Sequence, residues 1–450
     1  MINDGMNSFL FSTPEMTRVF SPAEQLRAMT RFEWALTCAL ESNGRAEAGS
    51  GAVLEQLIKA DFVDMGALVL EAKEAGNVAI PFVRQLTEAV MARRESAARS
   101  VHLGATSQDV LDTAVVLQMR EALDLLEEAL ARMDEALLGQ VRTHRGTVMQ
   151  GRTWLQPGPP ITLGLKLAGV LAALRRDRER IRAEANRVLV MQFGGAVGTL
   201  ASLGTAGGAI SAELARLLNL AEPELPWHTQ RDRLVAIVQA LAILTGTLAK
   251  FGRDLALLMQ AEVGEVSEGA GEGRGGSSTM PHKHNPVASA ALIAIHAKMP
   301  ALAATMLHAM PQEHERGAGL WQAEWDTVPE AFCLASASVA YAIEIAEGLK
   351  IDAGRMHANM EATLGLPMSE AVSVALAPRM GRVAAHDLLR RAADRALTEN
   401  RRLSDVLKQM PEVKAHLSDM EIDELLDARN YLGSAQRFIA RVVGDEDAHD

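Results

Sequence analysis

The stretch Gly264–Asn285 reads GEVSEGAGEGRGGSSTMPHKHN, and its density of glycine and reactive side chains organises the rest of the chain around it. Glycine tolerates positive φ angles, so such a segment can bend sharply and turn backbone N–H groups inward. Asn is a good helix N-cap and Pro suits the first helical position, so Asn285-Pro286 predicts that a helix begins here. The stretch therefore predicts a loop that brings Ser277 and Lys283 to a helix N-terminus, where anions bind. A flexible surface linker with an ordinary cap is the alternative.

The composition of the chain favours helices over strands. The chain has 450 residues, of which 48% are hydrophobic and only 4% aromatic, so Ala, Leu, Val and Met supply most of the apolar mass. Ala and unbranched side chains lose little freedom in a helix. A net charge of −12 argues against coating nucleic acid, so positive charge for an anionic ligand must be local. Cys38 and Cys333 are far apart, give no disulfide framework and suit a reducing cytosol.

Two features of the chain bear on its location. The N-terminal residues lack a basic region followed by an apolar run, so we expect no signal peptide. The most apolar stretch, residues 234–249, contains Gln239 and Gly246 and is bounded by Arg233 and Lys250. It is predicted to be too short and too interrupted for a membrane span, and to form a helix buried on all sides. We therefore expect a cytoplasmic protein with no membrane partner.

Hydrophobic periodicity predicts five long helices from about residue 106 onwards. The first begins near residue 106 and carries apolar residues at alternating steps of four and three: Met119, Leu123, Leu126, Leu130, Met133 and Leu137. The others are expected at about 162–189, 231–263, 286–310 and 327–350. With almost no strand-like alternation between them, they predict an elongated bundle. A composition shift near Ile351 divides the chain into an N-terminal helical domain 1–110, a central bundle 111–351 with the Gly-rich loop 264–285, and a C-terminal helical domain 352–450.

Four polar clusters are candidates for chemistry. They are TSQD at 106–109, GRTWLQ at 151–156, TQRD at 229–232 and SSTMPHKHN at 277–285. Each is predicted to lie at a helix end, and antiparallel helices or subunit contacts can bring such ends together. Thr106 and Asp109 also have capping-box spacing, with Asp in place of Glu, so a plain helix cap is the alternative for TSQD.

These clusters resemble the signature segments of the fumarase/aspartase superfamily, which includes argininosuccinate and adenylosuccinate lyases. The family signature GSSxMPxKxNP is matched by GSSTMPHKHNP at 276–286, TSxD by residues 106–109, and GRTHxQ by GRTWLQ except at one position. The resemblance covers the whole chain. It implies an all-α, three-domain subunit with a central five-helix bundle, a homotetramer whose active sites draw on several subunits, and neither metal nor organic cofactor.

The resemblance also implies roles for the matching residues. In this family the first serine of the signature takes the proton next to a carboxylate, and that role carries over to Ser277, supported by Lys283. Removing that proton places a second negative charge on the carboxylate, which becomes an aci-carboxylate that nearby donors must stabilise. The implied substrate contacts are Thr106, Ser107, Gln156, Thr229, Gln230, Ser278 and Asn285.

Two residues of the family's proton relay are missing. Trp154 stands in place of the GRTH histidine, which protonates the leaving group in many members, and Ala290 stands in place of its glutamate partner. An amine or hydroxide leaving group needs protonation, whereas a carboxylate does not, because its conjugate acid has a pKa of roughly 4. The departing or adding group is therefore predicted to be a carboxylate.

One branch of the superfamily fits this expectation, the 3-carboxy-cis,cis-muconate cycloisomerases of protocatechuate catabolism in the β-ketoadipate pathway. The Trp of GRTW, the HKHNP ending and the pattern QEHERGxGxWQAEW at 312–325 resemble that branch. The resemblance implies lactonisation to 4-carboxymuconolactone by intramolecular carboxylate addition through an aci-carboxylate intermediate. This small polycarboxylate carries three carboxylates, so Arg316 and Lys283 are candidate counter-charges. A surface ion pair with Glu313 or Glu315 is the alternative for Arg316.

Several pocket residues and two other functions keep alternatives open. His282 and His284 flank Lys283 and could be metal ligands, but no further ligand cluster accompanies them, so charge tuning or substrate contact is preferred. His102 either replaces the missing proton donor or is a hydrogen-bonded residue near a helix start. Trp154 could also narrow the pocket by packing. The competing functions are an adenylosuccinate lyase-type elimination that releases fumarate and a non-catalytic structural protein on the same fold.

Overall fold

The computed structural model describes residues 8–269, 275–276, 280 and 283–445, and helices make up nearly all of its regular structure. The helices that precede TSQD are α1 Pro14–Val19, α2 Pro22–Ser42, α3 Ser50–Glu55, α4 Met65–Ala75, α5 Ala79–Met91 and α6 Glu95–Ala98. Local sequence explains the start of α2, because the Ser21 side chain accepts from Glu24 N and Pro22 occupies the first helical position.

The five long helices predicted from periodicity are present, with one short helix between the second and third. The central elements are α7 Ser107–Thr143, α8 Leu163–Val188, α9 Gly207–Leu218, α10 Asp232–Leu258, α11 Val287–Ala309 and α12 Glu324–Gly348. Each of the six apolar residues at alternating steps along α7 is at most 6% exposed. The all-α fold with five long helices is thus confirmed. α10 ends before residue 263 because the chain turns there, with Val263 N donating to Gln260 O at 2.9 Å.

The C-terminal helices pack around a core of their own. They are α13 Ala353–Glu361, α14 Ser369–Met380, α15 Arg382–Glu399, α16 Leu403–Leu407, α17 Pro411–Lys414, α18 Asp419–Leu426 and α19 Ala435–Val443. Val372, Leu388, Leu403, Val413 and Ile422 belong to this core. The boundaries of the three domains stay a prediction.

The described residues also contain two short antiparallel strand pairs. β1 Val148–Thr153 pairs with β2 Gln156–Thr162, and β3 Val266–Ser267 pairs with β4 Lys350–Ile351. The prediction that GRTWLQ lies at a helix end is wrong, because this segment forms the tip of the β1–β2 hairpin. Trp154 and Leu155 are the turn residues, with φ angles of 54° and 63°. Positive φ at both positions gives a two-residue turn whose twist matches that of the strands.

The chain forms two compact units, each built from three stretches. The first contains the described residues of Met1–Ala129, Asp177–Gly246 and Ala294–Ala340, and the second those of Leu130–Arg176, Thr247–Ile293 and Tyr341–Asp450. In the first unit, Gln239 Nε2 of α10 donates to Ala303 O of α11 at 2.8 Å. In the second, Gln140 Nε2 of α7 donates to Ala346 O of α12 at 2.9 Å. Long helices therefore lie side by side within each unit.

Within the described residues, α10, α11 and α12 are long and apolar enough to cross a membrane by length and composition alone. The length expected for the apolar stretch 234–249 was wrong, because that stretch is part of a helix of 27 residues. The expectation that it does not span a membrane stays a prediction. In α10, 56% of the apolar window is buried inside the chain, and in α11 only 39% is buried. Much of the apolar surface of α11 is therefore exposed in a single chain.

Candidate active site

TSQD forms the start of α7, and the carboxylate of Asp109 is the centre of a hydrogen-bond network there. Thr106 N donates to Asp109 Oδ2 at 3.0 Å, so Asp109 makes its half of the predicted capping box. The buried carboxylate accepts further hydrogen bonds of 2.7–3.1 Å, from Gln192 Nε2, Gly194 N, Gly195 N and His228 Nε2. Asp109 therefore does more than cap a helix, because it ties TSQD to the turn at 193–198 and to the residue before TQRD.

The backbone conformation and close packing at Gly195 explain why the turn at 193–198 contains glycine. Its φ is +68°, and a Cβ there would lie 2.8 Å from Gly104 O. A side chain would force the two backbones apart, so glycine lets the N–H of Gly195 reach the Asp109 carboxylate. The pair Gly194-Gly195 is a turn signal in the sequence, but no local pattern shows that Gly195 contacts Gly104 and Asp109.

Arg231 holds TQRD in place and was missed as a structural residue. It is 2% exposed, and its Nη1 donates to Asp112 Oδ2 at 2.7 Å while its Nε donates to Glu324 Oε1 at 3.0 Å. Burial by itself lowers the pKa of Arg231, but Asp112 and Glu324 raise that pKa above its ordinary value. Trp321 Nε1 donates to Asp112 Oδ1 at 3.0 Å. These contacts fix TQRD against α7 and α12.

Arg316 contacts neutral groups. Its Nη1 donates to Gln108 Oε1 at 3.1 Å and its Nη2 to Ala196 O at 2.8 Å. Thr229 Oγ1 donates to His314 O at 2.9 Å, so the segment that carries Arg316 also touches TQRD. In the described part of the chain no carboxylate forms an ion pair with Arg316, so the proposed surface pair with Glu313 or Glu315 is not formed. Its positive charge is available to an anion near TSQD.

His102 is held beside TSQD by Glu33 of α2. Its backbone N donates to Glu33 Oε2 at 2.9 Å, and its Nδ1 lies 2.6 Å from Glu33 Oε1. Glu33 is fully buried, and His102 has a φ of 58°. Burial lowers the pKa of His102, but the Glu33 carboxylate outweighs burial, and the net pKa lies above its ordinary value. The pair favours a positive charge next to TSQD.

We expect Glu33→Gln to lower the pKa of His102, because an amide supplies no negative charge. The stability from this pair is complete below the unfolded-state histidine pKa of about 6.5 and is lost as pH rises through the higher folded-state pKa. The loss of stability in Glu33→Gln should therefore be larger at about pH 5.5 than at about pH 8.5. NMR titration of labelled histidine, assigned with His102→Gln, measures the pKa. An unchanged pKa would contradict the pairing.

The GRTW hairpin lies in the second unit and exposes its tip. Trp154 is 97% exposed, so it does not pack into a pocket of its own chain, and Gln156 is exposed as well. Arg152 is anchored instead, since its Nη1 donates to Glu265 Oε2 at 3.0 Å and its Nη2 to Glu265 Oε1 at 2.5 Å. Glu265 is fully buried. Sequence reasoning singled out neither residue of this ion pair.

The described part of the signature segment also lies in the second unit. Gly276 forms an isolated antiparallel bridge with His284, and Asn285 donates from N and Nδ2 to Gly275 O at 2.8 and 3.1 Å. Lys283 and His284 are exposed and Asn285 is half-buried. Three predicted site residues lie outside the described residues, namely Ser277, Ser278 and His282.

A helix follows Asn285-Pro286 as predicted, but Asn285 does not cap it. α11 begins at Val287, and its first amide groups donate to Glu268, with Ala288 N at 3.0 Å from Oε2 and Ser289 N at 2.7 Å from Oε1. The Asn285 side chain instead donates from Nδ2 to Gly275 O at 3.1 Å. The helix N-terminus therefore holds a carboxylate of the chain itself, and the anion site predicted there is already filled.

The predicted site residues fall into two sets. The first unit contains His102, Thr106, Ser107, Thr229, Gln230 and Arg316, and the hydrogen bonds of Asp109 and Gln108 join TSQD to the segments that carry Thr229 and Arg316. The second unit contains Trp154, Gln156, Lys283, His284 and Asn285. Within the described residues no group of three or more His, Cys, Asp or Glu side chains is arranged to hold a metal ion.

Comparison with known proteins identifies the family. The chain matches the family described as "Lyase" over residues 49–300 and "Adenylosuccinate lyase C-terminus" over residues 365–442. It is 49% identical over 446 residues to 3-carboxy-cis,cis-muconate cycloisomerase of Pseudomonas aeruginosa, covering 99% of this chain and 97% of that protein. Identity to the protein of the same name from Acinetobacter baylyi is 44% over 436 residues, covering 96% and 97% of the two chains. The crystal structure of 3-carboxy-cis,cis-muconate lactonizing enzyme from Pseudomonas putida superposes with a TM-score of 0.93, at 47% identity and 98% coverage of each chain. The chain therefore belongs to the lyases of the fumarase/aspartase superfamily and, within them, to the group of the 3-carboxy-cis,cis-muconate cycloisomerases.

Proposed function

We propose that this enzyme lactonises 3-carboxy-cis,cis-muconate to 4-carboxymuconolactone. The observation that carries the proposal is a complete GSSxMPxKxNP signature combined with Trp154 and Ala290 in place of the proton relay. Relatives with 44–49% identity over nearly the whole chain bear the name of this activity. That relationship favours lactonisation over an adenylosuccinate lyase-type elimination and over a non-catalytic structural role.

The reaction is an internal addition followed by one protonation. An oxygen of one substrate carboxylate bonds to an alkene carbon, and the electron pair of the double bond moves to the carbon that bears another carboxylate. The resulting aci-carboxylate collapses when Ser277 delivers a proton to that carbon. The attacking carboxylate is already ionised near neutral pH, because its pKa is roughly 4, so neither Trp154 nor Ala290 needs to be an acid or base.

Donors suited to stabilising this charge are held in place within each set of site residues. Asp109 holds Thr106 at the start of α7, and the pairing with Gly275 holds Asn285, so these donors are fixed before charge develops. Lys283 and Arg316 supply positive charge in an acidic protein. We assign the remaining substrate contacts and pocket positions to His102, Trp154, Gln156, Thr229, Gln230, Ser278, His282 and His284.

The assembly that fits these features is a homotetramer with shared active sites. Only 39% of the apolar window of α11 is buried in the single chain, which supports helix packing between subunits. Trp154 and Leu155 are exposed at positive φ, a conformation that costs about 1–3 kcal/mol per residue and is retained where function requires it. Contacts between this hairpin tip and a second subunit would offset the cost of these backbone conformations. With α10, α11 and α12 covered by helices, the enzyme would be cytoplasmic and would need neither membrane nor nucleic acid.

Purified protein is expected to lactonise 3-carboxy-cis,cis-muconate without added metal, because the attacking carboxylate needs no Lewis acid. Loss of the diene absorbance in the ultraviolet follows the reaction, with and without a chelator. Adenylosuccinate, assayed in parallel, should not be cleaved. Cleavage of adenylosuccinate together with inactivity on the muconate would overturn the proposed function.

A further inference from the structure

Residues 265–269, which directly precede the internal gap in the described residues, form a segment that we call the anchor segment. Its strand β3 pairs with β4, and Asp352 N donates to Glu265 O at 3.0 Å. At its end, a Cβ on Gly269 would lie 2.6 Å from Gly348 O, so the two backbones are in close contact. The backbone of the anchor segment is thus fixed within the second unit.

Glu265, the first residue of the anchor segment, binds the GRTW hairpin. Besides its two hydrogen bonds from Arg152, its Oε1 accepts from Asn359 Nδ2 at 2.8 Å. A buried carboxylate with several donors is held in one position, because any movement would leave a charge unpaired. Glu265 therefore gives the anchor segment a rigid connection to the hairpin.

Glu268, three residues later, binds the helix that follows the signature. Its Oε1 accepts from Ser289 N at 2.7 Å and from Ser289 Oγ at 2.6 Å, and its Oε2 accepts from Ala288 N at 3.0 Å. Ser289 is fully buried. Free amides and the partial positive charge at a helix N-terminus both favour a carboxylate. The anchor segment is thereby joined to the first turn of α11.

The first turn of α11 directly continues the end of the signature. Lys283, His284 and Asn285 are followed by Pro286, and Val287 N donates to Asn285 O at 2.9 Å. Asn285 is held on its other side by Gly275 O. The position of Lys283 and Asn285 therefore depends on where α11 begins, and Glu268 is the side chain that fixes this point.

We propose that Glu268 is a positioning residue for lactonisation, which sets the place of Lys283 and Asn285 through the N-terminus of α11. The inference rests on the proposed function, because the roles of Lys283 and Asn285 come from it. It also means that a substrate carboxylate is not bound by the amides of this helix. Since negative charge on the substrate grows only in the transition state, loss of Glu268 should reduce kcat more than it changes KM.

The first test is Glu268→Gln, which keeps the shape of the side chain but places an NH2 group opposite backbone donors. We expect kcat to fall by about 10–100-fold, with KM changed less than about threefold, since small misplacements of catalytic groups have effects of this size. Glu421→Gln is the matched control, because Glu421 Oε2 accepts from Ser418 N at 2.7 Å in the capping box of α18. That variant makes the same change of carboxylate to amide at a helix N-terminus, where Gln can also complete a capping box, and should keep its kcat.

The second test is chemical rescue of Glu268→Ala. Formate fits the space left by the carboxylate and can bind the freed amides, so it should restore a large part of kcat, while chloride should not. Ser289→Ala, which removes one hydroxyl, is the milder variant if Glu268→Gln does not assemble, and it should lower kcat by about two- to tenfold.

The outcomes separate the two proposals. Wild-type protein that is inactive on 3-carboxy-cis,cis-muconate overturns the proposed function. Active wild type with normal kcat in Glu268→Gln, or with a loss in Glu268→Ala that formate leaves unchanged, overturns the role of Glu268 and leaves the function standing.

Discussion

Ser277→Ala is expected to lower kcat for lactonisation by about 10²–10⁴-fold, the usual effect of removing a positioned proton donor. In the proposed mechanism Ser277 delivers the proton to the aci-carboxylate, and the methyl group of alanine cannot. The attacking carboxylate remains ionised and the substrate contacts remain in place, so KM should change much less. Absorbance assays measure kcat, and sedimentation velocity measures the assembly, which should be the same as that of the wild type.

The control for this experiment lies two residues away. Thr279 occupies the variable position of GSSxMPxKxNP, so Thr279→Val removes a hydroxyl from the same segment without removing the proposed donor. We expect a change in kcat of less than about threefold for that variant. Near-normal turnover in Ser277→Ala would remove Ser277 from its role.

Asp109→Asn is expected to lower the free energy of unfolding by about 3–5 kcal/mol, because it breaks a buried carboxylate network. Asn has one acceptor oxygen in place of two, so its NH2 group must face donors such as Gly195 N, which lies 2.9 Å from Oδ2, or Thr106 N. An unsatisfied buried donor costs about 1–3 kcal/mol. Since Thr106 would shift, kcat should fall by about tenfold or more as well.

Asp64→Asn provides the comparison for Asp109→Asn. Asp64 caps α4 by accepting from Ala67 N at 3.0 Å and lies at an exposed position. Its substitution should cost about 1 kcal/mol or less and leave kcat unchanged. Urea unfolding at one protein concentration is the measurement, because the stability of a protein that associates depends on its concentration. Equal losses in the two variants would contradict the central position of Asp109.

Local patterns were sufficient for the helices and insufficient for the hairpin. The alternating apolar steps along α7 predicted its buried side because helical periodicity is a property of neighbouring residues. The hairpin tip was missed because Trp154 and Leu155 are poor formers of a turn with positive φ, where Asn and Gly are usual. Tertiary contacts hold the two strands, and the turn follows from them.

The helix that follows the signature shows the same limit. Asn285-Pro286 is a strong local start signal, yet Gly275 O takes the Asn285 amide and the cap comes from Glu268. Arg316 likewise has acidic neighbours in sequence, but it donates to Gln108, 208 positions away. In each case the hydrogen bond is formed with a residue distant in sequence and not with a neighbouring residue.

By itself the sequence determined the five long helices, the family and the loss of the proton relay, because these depend on periodicity and on the identity of residues such as Trp154 and Ala290. Only the tertiary structure decided which carboxylates hold the site. Asp109, Glu265 and Glu268 bind donors 86, 113 and 20 positions away, respectively, at Gly195, Arg152 and Ala288. A hydrogen bond depends on distance in space, and no local pattern encodes that distance for residues so far apart in the chain.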